Sequence, residues 1–163
     1  EQLYRDNRIT PIYEGTNSVQ AIDLVFRKLV NRNGDIIDKY IKMIKNDLDS
    51  TNDKIKPFVL KINLYLEKLE SFSSWIKDKI QSSKDDANAA CNDYLKVLGL
   101  IAVAYSWIKV LEVSFEDYDN NKIFYEDKIQ TANFFFERVL PRIDSHCATG
   151  TSGSKYIMDF KFN

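Results

Sequence analysis

Hydrophobic side chains recur every three or four residues along most of the chain, which is the spacing that lines one face of an α-helix. Five such patterns follow one another and are separated by short polar joints. They cover about residues 17–32, 35–48, 54–82, 87–113 and 122–140. Residues 1–16 show no helical pattern, and we expect Pro141 to end the last helix because its ring excludes a further helical turn.

The last four patterns predict an antiparallel four-helix bundle, because long helices joined by short loops pack up and down against their neighbours. The side chains expected in its core include Leu98, Ile101, Tyr105, Ile129 and Phe136. Between Val97 and Ile108 the fourth helix is apolar nearly all round, so we expect its neighbours to enclose it. The predicted fold class is all-α. Residues 1–33 are interpreted as the end of a different domain, and residues 34–163 as an additional helical-bundle domain.

Composition narrows the classes of function. The 163 residues are 44% hydrophobic, which argues against disorder. Lys and Arg number 23 and Asp and Glu 24, and this balance gives no general attraction to nucleic acid or to an anionic membrane. The most apolar stretch, Val97 to Ile108, is shorter than the roughly 20 residues that cross a bilayer. The sequence therefore predicts neither a nucleic-acid partner nor a membrane span.

Cysteine and histidine are too few for a metal site or a disulfide framework. Cys91 and Cys147 lie far apart, and His146 is the single histidine, interpreted as a polar surface residue. Free thiols of this kind suit a reducing compartment, such as the cytoplasm or, in a eukaryote, the mitochondrial matrix. The chain opens EQLYRDNRI, charged and without a Met, so we expect no signal peptide and a cut from a larger protein.

The candidate chemistry lies in a loop before the first helix, at Glu14. If Ile12 and Tyr13 enclose this carboxyl group, desolvation raises its pKa and makes it a useful general base. Thr16 is a good N-cap, and the N–H groups of the helix that follows are able to hold an anion or a carbonyl oxygen. Alternatively, Glu14 only stabilises the positive end of the helix dipole. The residue pattern alone leaves both interpretations open.

A resemblance favours the first interpretation. Residues 5–20 read RDNRITPIYEGTNSVQ, and this segment resembles the C-terminal signature of acyl-CoA dehydrogenases. The longer pattern ITPIYEGTNxxQAIDLVxRKL is similar to the subgroup with an additional C-terminal domain, called methylmercaptopropionyl-CoA dehydrogenase-like. Later segments that read YLKVLGLIAVAYSW and KIQTANFFFERVLPRIDSH fit the same subgroup. The resemblance covers essentially the whole chain and is strongest at residues 4–29.

The resemblance implies a role for each matching residue. Glu14 would remove the α-proton of an acyl-CoA thioester while the β-hydrogen leaves as hydride to the flavin of FAD. The Glu14 backbone N–H and a flavin ribityl hydroxyl would hold the thioester carbonyl oxygen. Gly15 would leave room for the thioester, and Thr16, Ser18 and Gln20 would approach FAD. Electron-transfer flavoprotein would accept the electrons, and the full-length enzyme would be a homo-oligomer.

Two departures and one omission qualify this assignment. Asn7 replaces the small residue usual in RDAR, and Phe26 replaces a smaller residue. The family builds its flavin site mainly from a preceding helical domain, a β-domain and a partner subunit. The 163 residues therefore hold one wall of the site, so that neither bound FAD nor activity is expected of them alone.

Two alternative functions belong to other classes. In the first, the chain is a non-catalytic interaction or oligomerisation module. In the second, it is part of a DNA-associated flavoprotein of the alkylation-response branch. A DNA-associated protein would show a basic face, whereas acids and bases are evenly mixed here.

Overall fold

The computed structural model describes residues 1–10, 12, 16–29, 36–48, 52–159 and 161, and every regular element in those ranges is helical. The α-helices are α1 (Gln2–Asn7), α2 (Asn17–Asp23), α3 (Ile36–Asp47), α4 (Lys56–Ser82), α5 (Lys84–Glu116), α6 (Lys122–Phe134), α7 (Arg142–Gly150) and α8 (Lys155–Met158). Two π-helical segments, Leu24–Leu29 and Phe135–Val139, continue α2 and α6, and a 3-10 turn spans Tyr118–Asn120. The predicted all-α fold class is confirmed.

Ion pairs between helices show the directions of α3, α4 and α5. Near the start of α3, Asp38 lies 3.9 Å from Lys77 of α4, and further along α3 Lys45 lies 2.9 Å from Glu70. Increasing residue numbers along α3 are therefore paired with decreasing residue numbers along α4, so the two helices are antiparallel. Helices α4 and α5 then form a hairpin, because only Ser83 separates them.

The last part of the chain, residues 135–150, runs back along α4 and α5 and is called the return segment. Lys61 and Lys68 of α4 pair with Glu137 and Asp144, so this return segment runs in the same direction as α4. It is consequently antiparallel to α5. Helix α3, α4, α5 and the return segment thus alternate in direction, which is consistent with the predicted four-helix bundle.

Helix α5 supplies the centre of the core. Ile101 is fully buried and Phe136 is almost so, as predicted. Leu98, Tyr105 and Ile129 are only partly buried, because they lie at the edges of their helix–helix contacts. The residues buried on α5 are Ala87, Ala90, Cys91, Tyr94, Val97, Ile101, Ala104, Ile108, Leu111 and Ser114.

One face of α5 is open, contrary to the prediction that its neighbours enclose it. Val103, Val110 and Val113 are between a third and half exposed, and Gly99 is exposed on the same side. Helix α5 is also long and apolar enough to cross a membrane by length and composition, a test that the core helix of a soluble protein passes as well.

Three short helices were missed by the sequence pattern: α1, α7 and α8. Helix α1 falls in a stretch predicted to be non-helical; it buries no side chain and is held locally, by Arg5 N–H donating to the Glu1 carbonyl at 3.0 Å. Helix α7 follows Pro141, which ends the preceding segment but also precedes the first turn of a new helix. Proline is tolerated there because that position needs no N–H donor.

The first helix packs on the bundle. Ala21, Val25 and Leu29 are buried in the same hydrophobic cluster as the side chains of α4 and α5. The predicted ends of helices one and two near residues 30–35 lie outside the described residues. The proposed domain boundary between residues 33 and 34 lies there as well and stays a prediction.

A buried hydrogen bond fixes how α4 sits against α5. The Ser73 hydroxyl and the Tyr94 hydroxyl lie 2.7 Å apart, and Tyr94 is fully buried. Ser73 also donates to the Leu69 carbonyl at 2.7 Å, so the pair leaves no buried hydroxyl unsatisfied. Burial raises the pKa of Tyr94 well above its ordinary range, which keeps the phenol neutral.

Asp86 ties the end of the chain to the start of α5. Its Oδ1 accepts hydrogen bonds from both the backbone N–H and the hydroxyl of Ser154, each at 2.8 Å, and Lys79 lies 3.3 Å from its Oδ2. Gly153 takes a φ of +80°, a conformation that side chains resist, to bring Ser154 against Asp86. These bonds from Ser154, aided by Lys79, lower the pKa of Asp86 to about 2.

We predict that Asp86 contributes to loss of stability in acid. Because its folded pKa of about 2 lies below the unfolded value near 3.8, its contribution is complete above pH 4 or so and is lost towards about pH 2. Asp86→Asn removes the charge, so the variant should be less stable at neutral pH and should lose less stability over this acid range. Urea unfolding at a series of pH values measures both effects. An equal acid loss in the variant and the wild type would contradict this assignment.

Two glycines give a matched pair of stability predictions. A Cβ at Gly150 would lie 2.3 Å from Phe72 Cζ, and Phe72 is held between Trp75 and Tyr94. Gly150→Ala should therefore destabilise the chain by about 1–3 kcal/mol through overpacking. At Gly99 an added Cβ meets nothing within 4 Å. Gly99→Ala should stabilise the chain by about 0.5–1 kcal/mol. Urea unfolding curves check both signs, and a destabilised Gly99→Ala would contradict the open face of α5.

Candidate active-site segment

The predicted base and its neighbour lie outside the described residues. This applies to Glu14 and Gly15, so their roles stay predictions. Ile12, one of the two side chains expected to enclose Glu14, is 78% exposed. Tyr13, the other, also lies outside the described residues. The enclosure of Glu14 therefore stays a prediction, and the exposure of Ile12 does not support it.

The three predicted FAD contacts are exposed at the start of α2. The Thr16 carbonyl accepts from Val19 N–H at 2.9 Å and from Gln20 N–H at 3.2 Å, whereas the Thr16 hydroxyl makes no capping bond. Thr16 is the N-cap of α2, and Gln20 lies about one turn further along the helix. The Ser18 Oγ accepts from Asn92 of α5 at 3.4 Å.

These groups fit a polar or anionic ligand such as part of FAD. Thr16, Ser18 and Gln20 are all exposed hydrogen-bonding side chains, and the first turn of α2 carries no acidic residue. No carboxylate of that turn would therefore repel an anionic group. The fit is partial, because the Ser18 hydroxyl already accepts a hydrogen bond from Asn92 of α5.

One face of α2 packs on the bundle and the other is exposed. The inner face of α2 buries Ala21, and the π-helical segment that continues it buries Val25. The outer face leaves Val19 59% and Ile22 43% exposed, so apolar side chains line both sides of this short helix. Asp23 forms a hydrogen bond with Arg27 at 3.0 Å, and this bond is the main reason that the pKa of Asp23 is lowered. Helix α2 is thus held to α5 while its outer face stays open.

His146 is partly buried, contrary to its interpretation as a surface residue. Its Nδ1 lies 2.8 Å from Asp93 Oδ1, and the pair joins α7 to α5. The sequence pattern missed this contact because α7 itself was missed.

The two cysteines are not reactive thiols. Burial raises the pKa of Cys147, next to His146, and keeps its thiol protonated, so that it does not act as a nucleophile beside the histidine. Burial likewise raises the pKa of Cys91 to about 11, which supports the view of both thiols as unreactive.

A groove of about 650 Å³ lies between α4 and α7. Phe72, Trp75 and Ala148 line it, and Lys68 at its edge is neutralised by Asp144. No sequence signal identified this groove, because its two walls are about 75 residues apart in the chain.

Within the described ranges, no three His, Cys, Asp or Glu side chains are grouped to hold a metal ion.

Comparison with known proteins identifies the family. Residues 36–161 match the profile of the family described as acetyl-CoA dehydrogenase C-terminal like. The chain is 24% identical over 158 residues to the broad-specificity linear acyl-CoA dehydrogenase FadE5 of Mycobacterium tuberculosis. That alignment covers 89% of this chain and 26% of FadE5, so the chain spans about a quarter of this relative's length.

A second relative matches more closely over a shorter stretch. The chain is 49% identical over 43 residues to the 3-methylmercaptopropionyl-CoA dehydrogenase of Ruegeria pomeroyi, which is 26% of this chain and 7% of that protein. The resemblance to acyl-CoA dehydrogenases, and to the subgroup with an additional C-terminal domain, is thereby confirmed. The chain belongs to the acetyl-CoA dehydrogenase C-terminal like family, a branch of the acyl-CoA dehydrogenases.

Proposed function

We propose that the chain is the C-terminal part of an FAD-dependent acyl-CoA dehydrogenase that introduces an α,β double bond into an acyl-CoA thioester, with Glu14 as the base. The observation that carries this proposal is the position of the IYEGT segment, residues 12–16. It leads directly into α2, and α2 packs on the helical bundle that matches the family profile. Both named relatives are acyl-CoA dehydrogenases.

The proposed reaction asks two things of Glu14. Its carboxylate accepts the α-proton of the thioester, and the electron pair of that C–H bond becomes the new double bond. Its backbone N–H donates to the thioester carbonyl oxygen, which stabilises the negative charge that develops there. The chemistry supplied by bound FAD is acceptance of the hydride that leaves the β-carbon. Because Ile12 is exposed, the enclosure that raises the basicity of Glu14 comes from the rest of the longer protein.

The remaining ligands and partners follow from the same proposal. Gly15 gives the thioester room to approach, while Thr16, Ser18 and Gln20 contact FAD. The longer protein supplies the other walls, works as a homo-oligomer and passes electrons to electron-transfer flavoprotein. The two unreactive thiols suit the cytoplasm or a mitochondrial matrix.

Surface charge supports the enzyme over a DNA-associated protein. Lys45, Lys61, Lys68 and Lys109 each pair with a carboxylate on another helical segment. These cations therefore stabilise the bundle and do not combine into a basic face of the kind that binds phosphates.

Glu14→Gln in the full-length protein should bind acyl-CoA but reduce flavin at least ~10²–10⁴-fold more slowly than the wild type. Glutamine keeps the shape of the side chain and the backbone donor, yet it accepts no proton, and loss of a general base has effects of this size. Anaerobic stopped-flow absorbance of the flavin measures the rate.

The matched control for this variant is Glu1→Gln. Glu1 is an exposed glutamate whose carboxylate pairs with Arg5, and it has no part in the proposed chemistry. This control should reduce flavin at the wild-type rate. If Glu14→Gln also stays within a few-fold of the wild type, Glu14 is only a helix-start residue and the base lies elsewhere.

Ser18→Ala in the full-length protein should weaken FAD binding about fivefold. A hydrogen bond contributes about 1 kcal/mol, which corresponds to this change in the dissociation constant. Asn92→Ala is the control, because it removes the same bond between α2 and α5 from the other side. Flavin release measured by fluorescence should therefore change in Ser18→Ala and stay constant in Asn92→Ala. Equal losses in both variants would mean that Ser18 only positions α2.

A further inference from the structure

Helix α8 combines a firm anchor with an exposed apolar surface. Directly before it, the backbone and hydroxyl of Ser154 are bound to Asp86. The helix then leaves Tyr156 85%, Ile157 66% and Met158 62% exposed. Three consecutive apolar side chains held in solvent at a fixed place are typical of a surface that meets another part of a protein.

The anchor of α8 lies at the same end of α5 as the start of α2. Asp86 holds α8, and Asn92 contacts Ser18 of α2. These two positions on α5 are six residues apart, or about 9 Å along the axis and about 120° around it. Helix α8 and the candidate active-site segment therefore flank one end of α5.

Helix α2 exposes apolar side chains beside this end of α5 as well. They are Val19 and Ile22, which are 59% and 43% exposed. The resemblance of residues 5–20 implies that they end a catalytic domain, so under the proposed function the rest of that domain is the natural partner of these side chains. The chain is about a quarter of the length of FadE5, which leaves room for such a domain in a longer protein.

We propose that α8 docks on the part of the same polypeptide that precedes Glu1, beside the active-site segment. Tyr156, Ile157 and Met158 form the contact, and the Asp86–Ser154 bonds hold them in place. The catalytic domain then contacts this end of α5 on two sides, through α2 and through α8. This inference rests on the proposed function, because that function supplies the preceding domain.

Photo-crosslinking in the full-length protein tests the contact. A benzophenone amino acid replaces Ile157 in one variant and Ile123 in a control. Ile123 is 81% exposed and lies beside the opposite end of α5, where neighbouring Tyr125 contacts Asp117. Isotope labelling of half the copies distinguishes crosslinks within one polypeptide from crosslinks between copies.

The variant at position 157 should crosslink to peptides that precede Glu1 in the same polypeptide, and the control should not. Crosslinks from position 157 only to a second copy, or none at all, would overturn the proposal. Flavin content and flavin reduction by acyl-CoA are measured on the same samples. Flavin reduction without the crosslink overturns only the docking, whereas the crosslink in a protein without flavin overturns only the proposed dehydrogenase function.

Discussion

Burial of α5 is the constraint on which the other elements depend. This helix has 33 residues, or about 50 Å, and α2, α4, α6 and α7 all pack against it. Its inner face is built mostly of small and β-branched side chains, with Tyr94 and Leu111 among them, so neighbouring helices approach closely. The hydroxyl pair of Tyr94 and Ser73 then fixes the position of α4, because a shift along the axis would leave a buried hydroxyl unsatisfied.

The same helix connects the fold to the candidate chemistry. Helix α2 is fixed by apolar burial on one side and by the contact between Ser18 and Asn92 at its start. Thr16 and the start of α2 therefore lie at a defined end of α5, and α8 is anchored at this end through Asp86. A scaffold of this kind suits a reaction in which one carboxylate must meet a substrate carbon held by other parts of a protein.

Periodicity predicted the long helices well because each buries one continuous apolar stripe. Ile101 and Phe136 are examples, since their spacing places them on the inner faces of α5 and of the π-helical segment that continues α6. It failed at α7, where Pro141 was taken as a stop although proline also begins helices. It also failed on the open face of α5, because an apolar position such as Val103 has the same pattern whether it faces a core or solvent.

The candidate site depended on a different kind of information. Nothing in the spacing of Glu14 separates a catalytic base from a residue that stabilises a helix dipole. The string around it resembles a family signature, and the family is confirmed by the match to residues 36–161. Contacts such as those of His146 with Asp93 or Ser154 with Asp86 join positions more than 50 residues apart, and no local pattern encodes them.

The most direct test of the central claim is an anaerobic titration of the full-length protein with saturated acyl-CoA thioesters. Flavin absorbance is followed during the titration, and the product is analysed for the α,β double bond. We expect a yellow protein whose flavin is bleached by at least one thioester, with 2-enoyl-CoA formed in equal amount. A full-length protein without flavin, or a bound flavin that no acyl-CoA thioester bleaches, would contradict it.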